Sequence, residues 1–325
     1  MSHKRLALLA SASLLMATAW PAAAQTAWPS RLIRIIVPYA AGSSPDVLVR
    51  LMSEPLSARL GQTIVVENRP GAGGNTGTDY VTKAAPDGYT FLVSTNGPLV
   101  YSTVYNPKLP YDPFKDLAPV TLAAGQPNVC AVSNKMGVKN VKEWVAALKK
   151  NPGKYNYSST GIGSMSHLSV EIVKLKTDSF AVHLPYASSP RAIMAILQGD
   201  VDFACVPPVA VMPQAKAGKV TAIAVTTAKR SPLMPDLPTL KESGFPEIQA
   251  LAWMAIMAPA KTPPEIIHRM NKEMVAILET PEIKEKLATT YMEPIASSPE
   301  ELAKWMVEER DRWAPVIKRA GLKAH

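Results

Sequence analysis

Cysteine is almost missing from this chain of 325 residues: there are two, Cys130 and Cys205, and no C-x-x-C pair. The five histidines show no ligand spacing, so neither a zinc ribbon nor a thiol-redox centre is expected, and no metal site. Charge is sparse as well, at 19% of residues, with aromatics at 6%. The formal net charge of +9 is dispersed, without an arginine–lysine stripe interleaved with aromatics, so no nucleic-acid partner is expected. Such a surplus favours anionic solutes through long-range steering. Beyond the first residues no run reaches the roughly 18–20 apolar residues that a membrane-spanning helix needs.

The first residues are of a different kind. Met1 to Ala24 has a basic start (Lys4, Arg5), an apolar run from Leu6 to Ala19, and Ala22-Ala23-Ala24 before Gln25. This is the pattern of a cleaved secretory signal peptide, and no cysteine follows the cut to carry a lipid. The remainder is expected in an exported compartment, where a disulfide is permitted. Cys130 and Cys205 sit in the apolar runs N-V-C-A-V and V-D-F-A-C-V, and the preferred reading is two small core residues.

From Trp28 onward, strand and helix patterns alternate. Ile33 to Val37 reads as a strand. A helix then starts at Ser44-Pro45-Asp46, with Ser44 as cap, a kink at Pro55 and an end at Gly61. A strand from Gln62 to Glu67, a glycine-rich loop, a helix to about Ala85 and a strand from Thr90 to Ser94 complete a β-α-β-α-β unit. Strand-like Val120–Leu122 and Asn128–Val132 and the helix Val141–Lys150 lead into a second unit. Its elements are strands at Tyr155–Ser158, Phe180–His183, Asp202–Val206 and Thr221–Thr226, with helices at Ser166–Lys176 and Ser189–Gln198. After the apolar L-A-W-M-A-I-M-A-P, three proline-introduced helices end the chain: Pro263–Glu279, Pro281–Thr289 and Pro299–Arg319. The reading is an α/β protein of two lobes, 25–122 with 250–325 and 123–249, crossed near residues 123 and 250. The loops after Val37, Glu67, Ser94, Ser158, His183 and Val206 leave strand carboxyl ends, where open α/β sheets bind ligands.

The glycine-rich run N-R-P-G-A-G-G-N-T-G (68–77) poses the main question, because such loops cradle phosphates. No lysine follows the glycines, as a Walker loop requires, and Gly71, Gly73 and Thr76 break the dinucleotide fingerprint. No nucleotide or other cofactor is expected. A serine-hydrolase reading finds Ser164 and His167 in S-S-T-G-I-G-S-M-S-H, without G-x-S-x-G. What the loops share is different. P-Y-A-A-G-S-S-P-D, S-T-N-G, Y-S-S-T-G-I-G-S and P-Y-A-S-S-P are small, hydroxyl-bearing and poor in charge, and several precede a helix start. Converging neutral donors and helix dipoles suit a carboxylate.

The same stretches, together with V-V-E-N-R-P-G-A-G-G-N-T-G, A-A-P-D-G-Y-T-F-L and W-M-A-I-M-A-P-A-K-T-P-P, resemble the Bug-type periplasmic receptors of tripartite tricarboxylate transporters, in the family's order from about Trp28 onward. The resemblance implies a monomeric, non-enzymatic, two-lobed periplasmic-binding-protein fold (type II-like). Two parallel or mixed sheets flanked by helices would close an interdomain cleft on a small carboxylate and present it to two membrane subunits. The alternative is an exported sensor whose closed form meets a signalling partner. The resemblance places one carboxylate against Tyr39, Ala41, Ser43, Ser44, Asp46, Thr95 and Asn96. The far end of the ligand meets Ser159, Thr160, Gly163, Ser164, His167, Tyr186, Ala187 and Ser188. Asn68 and Arg69 would brace loops. The first loop departs from the family's glycine-rich form in carrying Ser43, Ser44 and Pro45. Val206 stands where many members carry an acidic residue suited to an α-amino group. The expected ligand is therefore a non-amino carboxylate, aliphatic or terephthalate-like, beside Val206, Cys205 and Trp253.

Overall fold

Residue by residue, I-R-I-I-V alternates between two apolar cores. Ile36 packs in one, and Ile33, Ile35 and Val37 pack in the other, so the strand β1 (Ile33–Val37) is sandwiched between layers. The computed structural model describes residues 28–322; the signal-peptide expectation on 1–24 lies outside the described residues. Among the described residues no helix is long and apolar enough to cross a membrane.

The first sheet grows from β1. Helix α1 (Ser44–Leu60) leads to β2 (Ile64–Asn68), and α2 (Asn75–Thr82) to β3 (Thr90–Thr95), all three strands being parallel. A π-helical turn (Gly97–Tyr101), the short helices α3 (Ser102–Tyr105) and α4 (Pro113–Asp116), and β4 (Leu117–Gln126) follow. The chain then enters a second sheet with β5 (Val129–Ser133), α5 (Val141–Lys150), β6 (Asn156–Ser159), α6 (Met165–Thr177) and β7 (Val182–Pro185). It continues through α7 (Ser189–Gln198), β8 (Phe203–Val206), α8 (Pro208–Lys216) and β9 (Val220–Val225). The return strand β10 (Ala252–Pro259) inserts antiparallel between β3 and β4, followed by α9 (Pro264–Leu278), α10 (Pro281–Thr289), β11 (Glu293–Pro294) and α11 (Pro299–Arg319). The strand orders are β11-β4-β10-β3-β1-β2 and β7-β6-β8-β5-β9, two mixed sheets flanked by helices.

Buried Thr226 binds the two crossings side by side. Its amide donates to Asn128 O (3.0 Å) and its hydroxyl to Ala250 O (2.9 Å), while Ala250 N donates to Thr226 O (2.8 Å). The C-terminal α11 starts in a capping box formed by Ser298 and Glu301, and buries Trp313 against Tyr101 of the first lobe.

Several local expectations change. The N-cap of α1 is Ser43, not Ser44, and its hydroxyl makes no capping bond. The helix carries Pro55 through to Leu60 and ends at Gly61, whose φ of 68° favours glycine. Helix α8, between the strands at 203–206 and 220–225, is absent from the sequence reading. Pro207, Pro208 and Pro213 look like a connection, yet proline suits a first helical turn. The cysteines are buried as expected but are not free: Cys130 and Cys205 face each other across β5 and β8 and form a disulfide. Their pairing follows from strand register, which a separation of 75 residues hides.

Candidate functional site: a neutral two-chambered cleft

Loops from both lobes meet in a cleft of two chambers that share Tyr39 and Thr160 as walls. The inner cavity, about 50 Å³, is lined from the first lobe by Tyr39, Ser43, Ser44, Pro45, Thr95, Asn96, Ala252, Trp253 and Met254. The crossing contributes Gln126 and Asn128, and the second lobe Thr160, Ser164, Met165, Ser166, Ser189 and Pro207. The outer chamber, about 380 Å³, lies between Gly71–Asn75, Tyr105 and Asn106 on one side and Thr160–Ile162 and Pro185–Ala187 on the other. No aspartate, glutamate, lysine or arginine lines either chamber.

The inner cavity nevertheless carries several polar groups among its apolar walls. Helices α1, α6 and α7 begin at it, with Ser44, Met165 and Ser189 as their first residues, and Pro207 precedes α8 there. Each start places partial positive charge on the cavity. Four of its buried side-chain atoms have no hydrogen-bond partner: Ser43 Oγ, Gln126 Oε1, Asn128 Oδ1 and Ser189 Oγ. Native interiors rarely leave such groups unpaired, and each costs about 1–3 kcal/mol. Gln126 Nε2 reaches Ser44 Oγ at 2.6 Å. A half-turn of that amide would present N–H to the cavity, with Ser44 then donating. Tyr39 Oη shares a proton with Thr95 Oγ1 at 2.7 Å, and burial drives its pKa far up, so it is a neutral phenol. The same half-turn at Asn128 would bring its N–H group inward. With hydroxyls, helix starts and no charged side chain in its lining, the cavity then has the chemistry to hold an anion.

A second layer fixes these walls. Asp46 accepts from Gly42 N (2.9 Å), Arg50 Nε (3.0 Å) and Asn68 Nδ2 (2.8 Å), which pins the first loop. Burial alone would raise the Asp46 pKa, but these bonds, led by that from Arg50, outweigh it and hold the carboxyl below its usual range. Asn68 also donates to Tyr39 O, and Arg69 pairs with Glu67 and lies 3.7 Å from the Tyr80 ring, so both residues brace. Asn96 and Trp253 connect to α11, as Asn96 Nδ2 donates to Tyr101 Oη, and both Tyr101 Oη and Trp253 Nε1 donate to buried Glu309. Under the second-lobe loop, His167 and His183 stack at 3.9 Å. His167 Nδ1 accepts from Gly163 N, and His183 Nε2 bonds Ser159 Oγ at 2.6 Å.

Of the residues expected from sequence, Tyr39, Ser43, Ser44, Thr95, Asn96, Thr160, Ser164, Tyr186 and Ala187 line the cleft. Asp46, Ser159, Gly163 and His167 stand behind it as braces, and Ser188 caps α7. Ala41 lines neither chamber. Val206 is fully buried in the second-lobe core opposite Val129, and the cavity wall at that point is Pro207. Cys205 is withdrawn into its disulfide. Ser164 Oγ donates to Gly161 O and caps α6, while the His167 ring serves Gly163 N, so the two do not form a nucleophile–base pair. Gln126, Asn128 and Tyr105 were not foreseen. The available signal was a Gln and an Asn flanking a proline inside the apolar run A-A-G-Q-P-N-V-C.

Comparison with known proteins shows the family. A family model described as tripartite tricarboxylate transporter family receptor matches residues 48–322. Protein BugT of Bordetella pertussis is 35% identical over 321 residues, covering 97% of this chain and 98% of BugT. Among solved structures, R. palustris Rpa4515 with adipate is 33% identical with a TM-score of 0.88, over 91% of this chain and 99% of that one. MatC from Rhodopseudomonas palustris with bound malate is 30% identical with a TM-score of 0.84, over 89% and 100%. The periplasmic binding protein BugD is 31% identical with a TM-score of 0.87, over 92% and 100%. The chain belongs to the receptor family of the tripartite tricarboxylate transporters and has the two-lobed fold of periplasmic binding proteins.

Proposed function

We propose that this protein is a periplasmic receptor for a dicarboxylate that carries no amino group, and that it delivers this ligand to a membrane transporter of two integral subunits. One carboxylate sits in the inner cavity, among Ser43, Gln126, Asn128 and Ser189. The body of the ligand lies in the outer chamber against Tyr105, Ile162, Pro185 and Tyr186. The observation that carries the reading is the set of four unpaired polar atoms in a cavity walled by helix starts and free of charged side chains. It agrees with the adipate and malate held by the two Rhodopseudomonas relatives.

The preference against amino acids has a different basis from the one the sequence suggested. Val206 is not on the cleft, but neither chamber presents any carboxylate to a ligand ammonium. Exclusion is a property of the whole lining. Linear dicarboxylates and terephthalate-like aromatic ones both suit a chamber walled by three tyrosines, Tyr39, Tyr105 and Tyr186, and two prolines, Pro38 and Pro185.

The test is thermal unfolding against a panel of aliphatic and aromatic dicarboxylates, tricarboxylates and amino acids. A true ligand at 100 times its Kd adds about 2.7 kcal/mol of stability. Shifts confined to non-amino dicarboxylates are expected; shifts with amino acids alone would refute the ligand class.

A further inference from the structure

The glycine-rich run lines the outer chamber but bears no mark of a phosphate cradle; its neighbours show what its glycines permit. Gly73, in the first lobe, lies against Gly161 and Ile162 of the second. A Cβ on Gly161 would fall 2.7 Å from Gly73 Cα, and one on Gly73 would fall 3.1 Å from Ile162 O. A Cβ on Gly163 would meet the Tyr105 ring at 2.1 Å. All three glycines have left-handed backbone, with φ of 65°, 124° and 72° for Gly73, Gly161 and Gly163. Beside this backbone contact, Tyr105 Oη of the first lobe donates to Ile162 O of the second at 3.0 Å.

We propose that Gly73 and Gly161, latched by Tyr105 on Ile162 O, form a clasp that joins the lobes over the outer chamber and sets how long the ligand stays bound. The proposal rests on the receptor reading for its ligand, but the contact itself is independent of it. The clasp exists only when the lobes are together, so its main effect is on ligand escape. It also selects for length, because a ligand that holds Gly73 and Gly161 apart forfeits both the latch and the backbone contact. Tyr105 and the two glycines are positioning residues in this scheme: they hold the 161–164 loop, and through it the chamber wall.

The test combines a distance and a rate. Spin labels on Ala85→Cys and Lys149→Cys, exposed positions on opposite lobes, report lobe separation by double electron–electron resonance with and without adipate. Stopped-flow mixing gives association and dissociation rates, and calorimetry reports whether adipate binds at all. In the parent protein a short-distance population is expected, growing with adipate. Gly161→Ala should deplete it. Tyr105→Phe keeps the ring against the ligand and should speed dissociation about 3- to 10-fold, as expected for losing one hydrogen bond. Far-UV circular dichroism checks that Gly161→Ala is folded; Tyr105→Phe carries the test if it is not. Adipate binding without a short-distance population, or an unchanged dissociation rate in Tyr105→Phe, would overturn the clasp and leave the receptor reading standing. A short-distance population that Gly161→Ala depletes, without adipate binding, would support the clasp and refute adipate as a ligand. No short-distance population under any condition would overturn the clasp.

Discussion

Gln126 and Asn128 flank Pro127 where β4 leaves the first sheet, and each turns an unpaired amide oxygen inward, as Ser43 and Ser189 do with hydroxyls. Unpaired buried groups have opposite effects on binding and on folding. A hydrogen bond to a charged ligand is worth about 1.5–3 kcal/mol; with the Asn128 amide turned so that its N–H group donates, Asn128→Ala and Ser189→Ala should each weaken dicarboxylate binding roughly 10- to 100-fold by calorimetry. The same substitutions remove a buried group that has no partner in the free protein. Ligand-free unfolding should therefore be unchanged or slightly more stable. Loss of stability in both variants with affinity intact would mean that these atoms serve the fold. Glu309 has the reverse signature, since it accepts from Tyr101 and Trp253 and pairs with Arg312. Glu309→Ala should destabilise the free protein by about 1–3 kcal/mol, the scale for leaving buried donors such as Tyr101 Oη and Trp253 Nε1 without an acceptor, as measured by chemical denaturation.

At the scale of elements, the β5–β8 disulfide and the histidine pair that joins α6 to β7 hold the second lobe. The Cys130–Cys205 bond closes a 75-residue loop, and replacing both by serine should cost about 2–4 kcal/mol of unfolding free energy. An unchanged denaturation midpoint would show that sheet packing alone suffices. His167 and His183 face each other, the Tyr157 ring, Glu171 and Lys174. Burial is the main cause that lowers both pKa values from 6.5 to about 3; Lys174 adds to it at His167, and His167 itself at His183. Below 6.5 the unfolded chain binds protons that the folded one refuses. The contribution is therefore complete above 6.5 and lost as pH falls toward 3. The unfolding temperature should drop between pH 6.5 and 5, above the range where carboxylates such as Asp46 titrate, and His183→Gln should flatten that drop. A pH-independent midpoint in the parent protein would contradict the account.

For the whole molecule, periodicity and punctuation made much of the fold legible. Helices at Val141–Lys150, Ser189–Gln198, Pro281–Thr289 and Pro299–Arg319 appear with the expected bounds, because caps and prolines mark them. Tertiary juxtaposition was not legible. No local pattern tells that Cys130 lies opposite Cys205, that Val206 faces the core while Pro207 faces the cleft, or that Gly73 meets Gly161. The hydroxyl-rich loops were legible because their chemistry is local, and residues from them line the cleft. Gln126 and Asn128 escaped because a polar pair beside a proline reads as an ordinary turn.

The central claim is that this cleft takes carboxylates through neutral donors and offers no carboxylate partner to an ammonium group. The direct measurement is isothermal titration of the protein with adipate and with 2-aminoadipate, which differ by that group alone. A buried charge left without its partner costs about 3–5 kcal/mol, so the amino compound should bind at least ~100-fold more weakly than adipate. Equal or tighter binding of 2-aminoadipate would contradict the account.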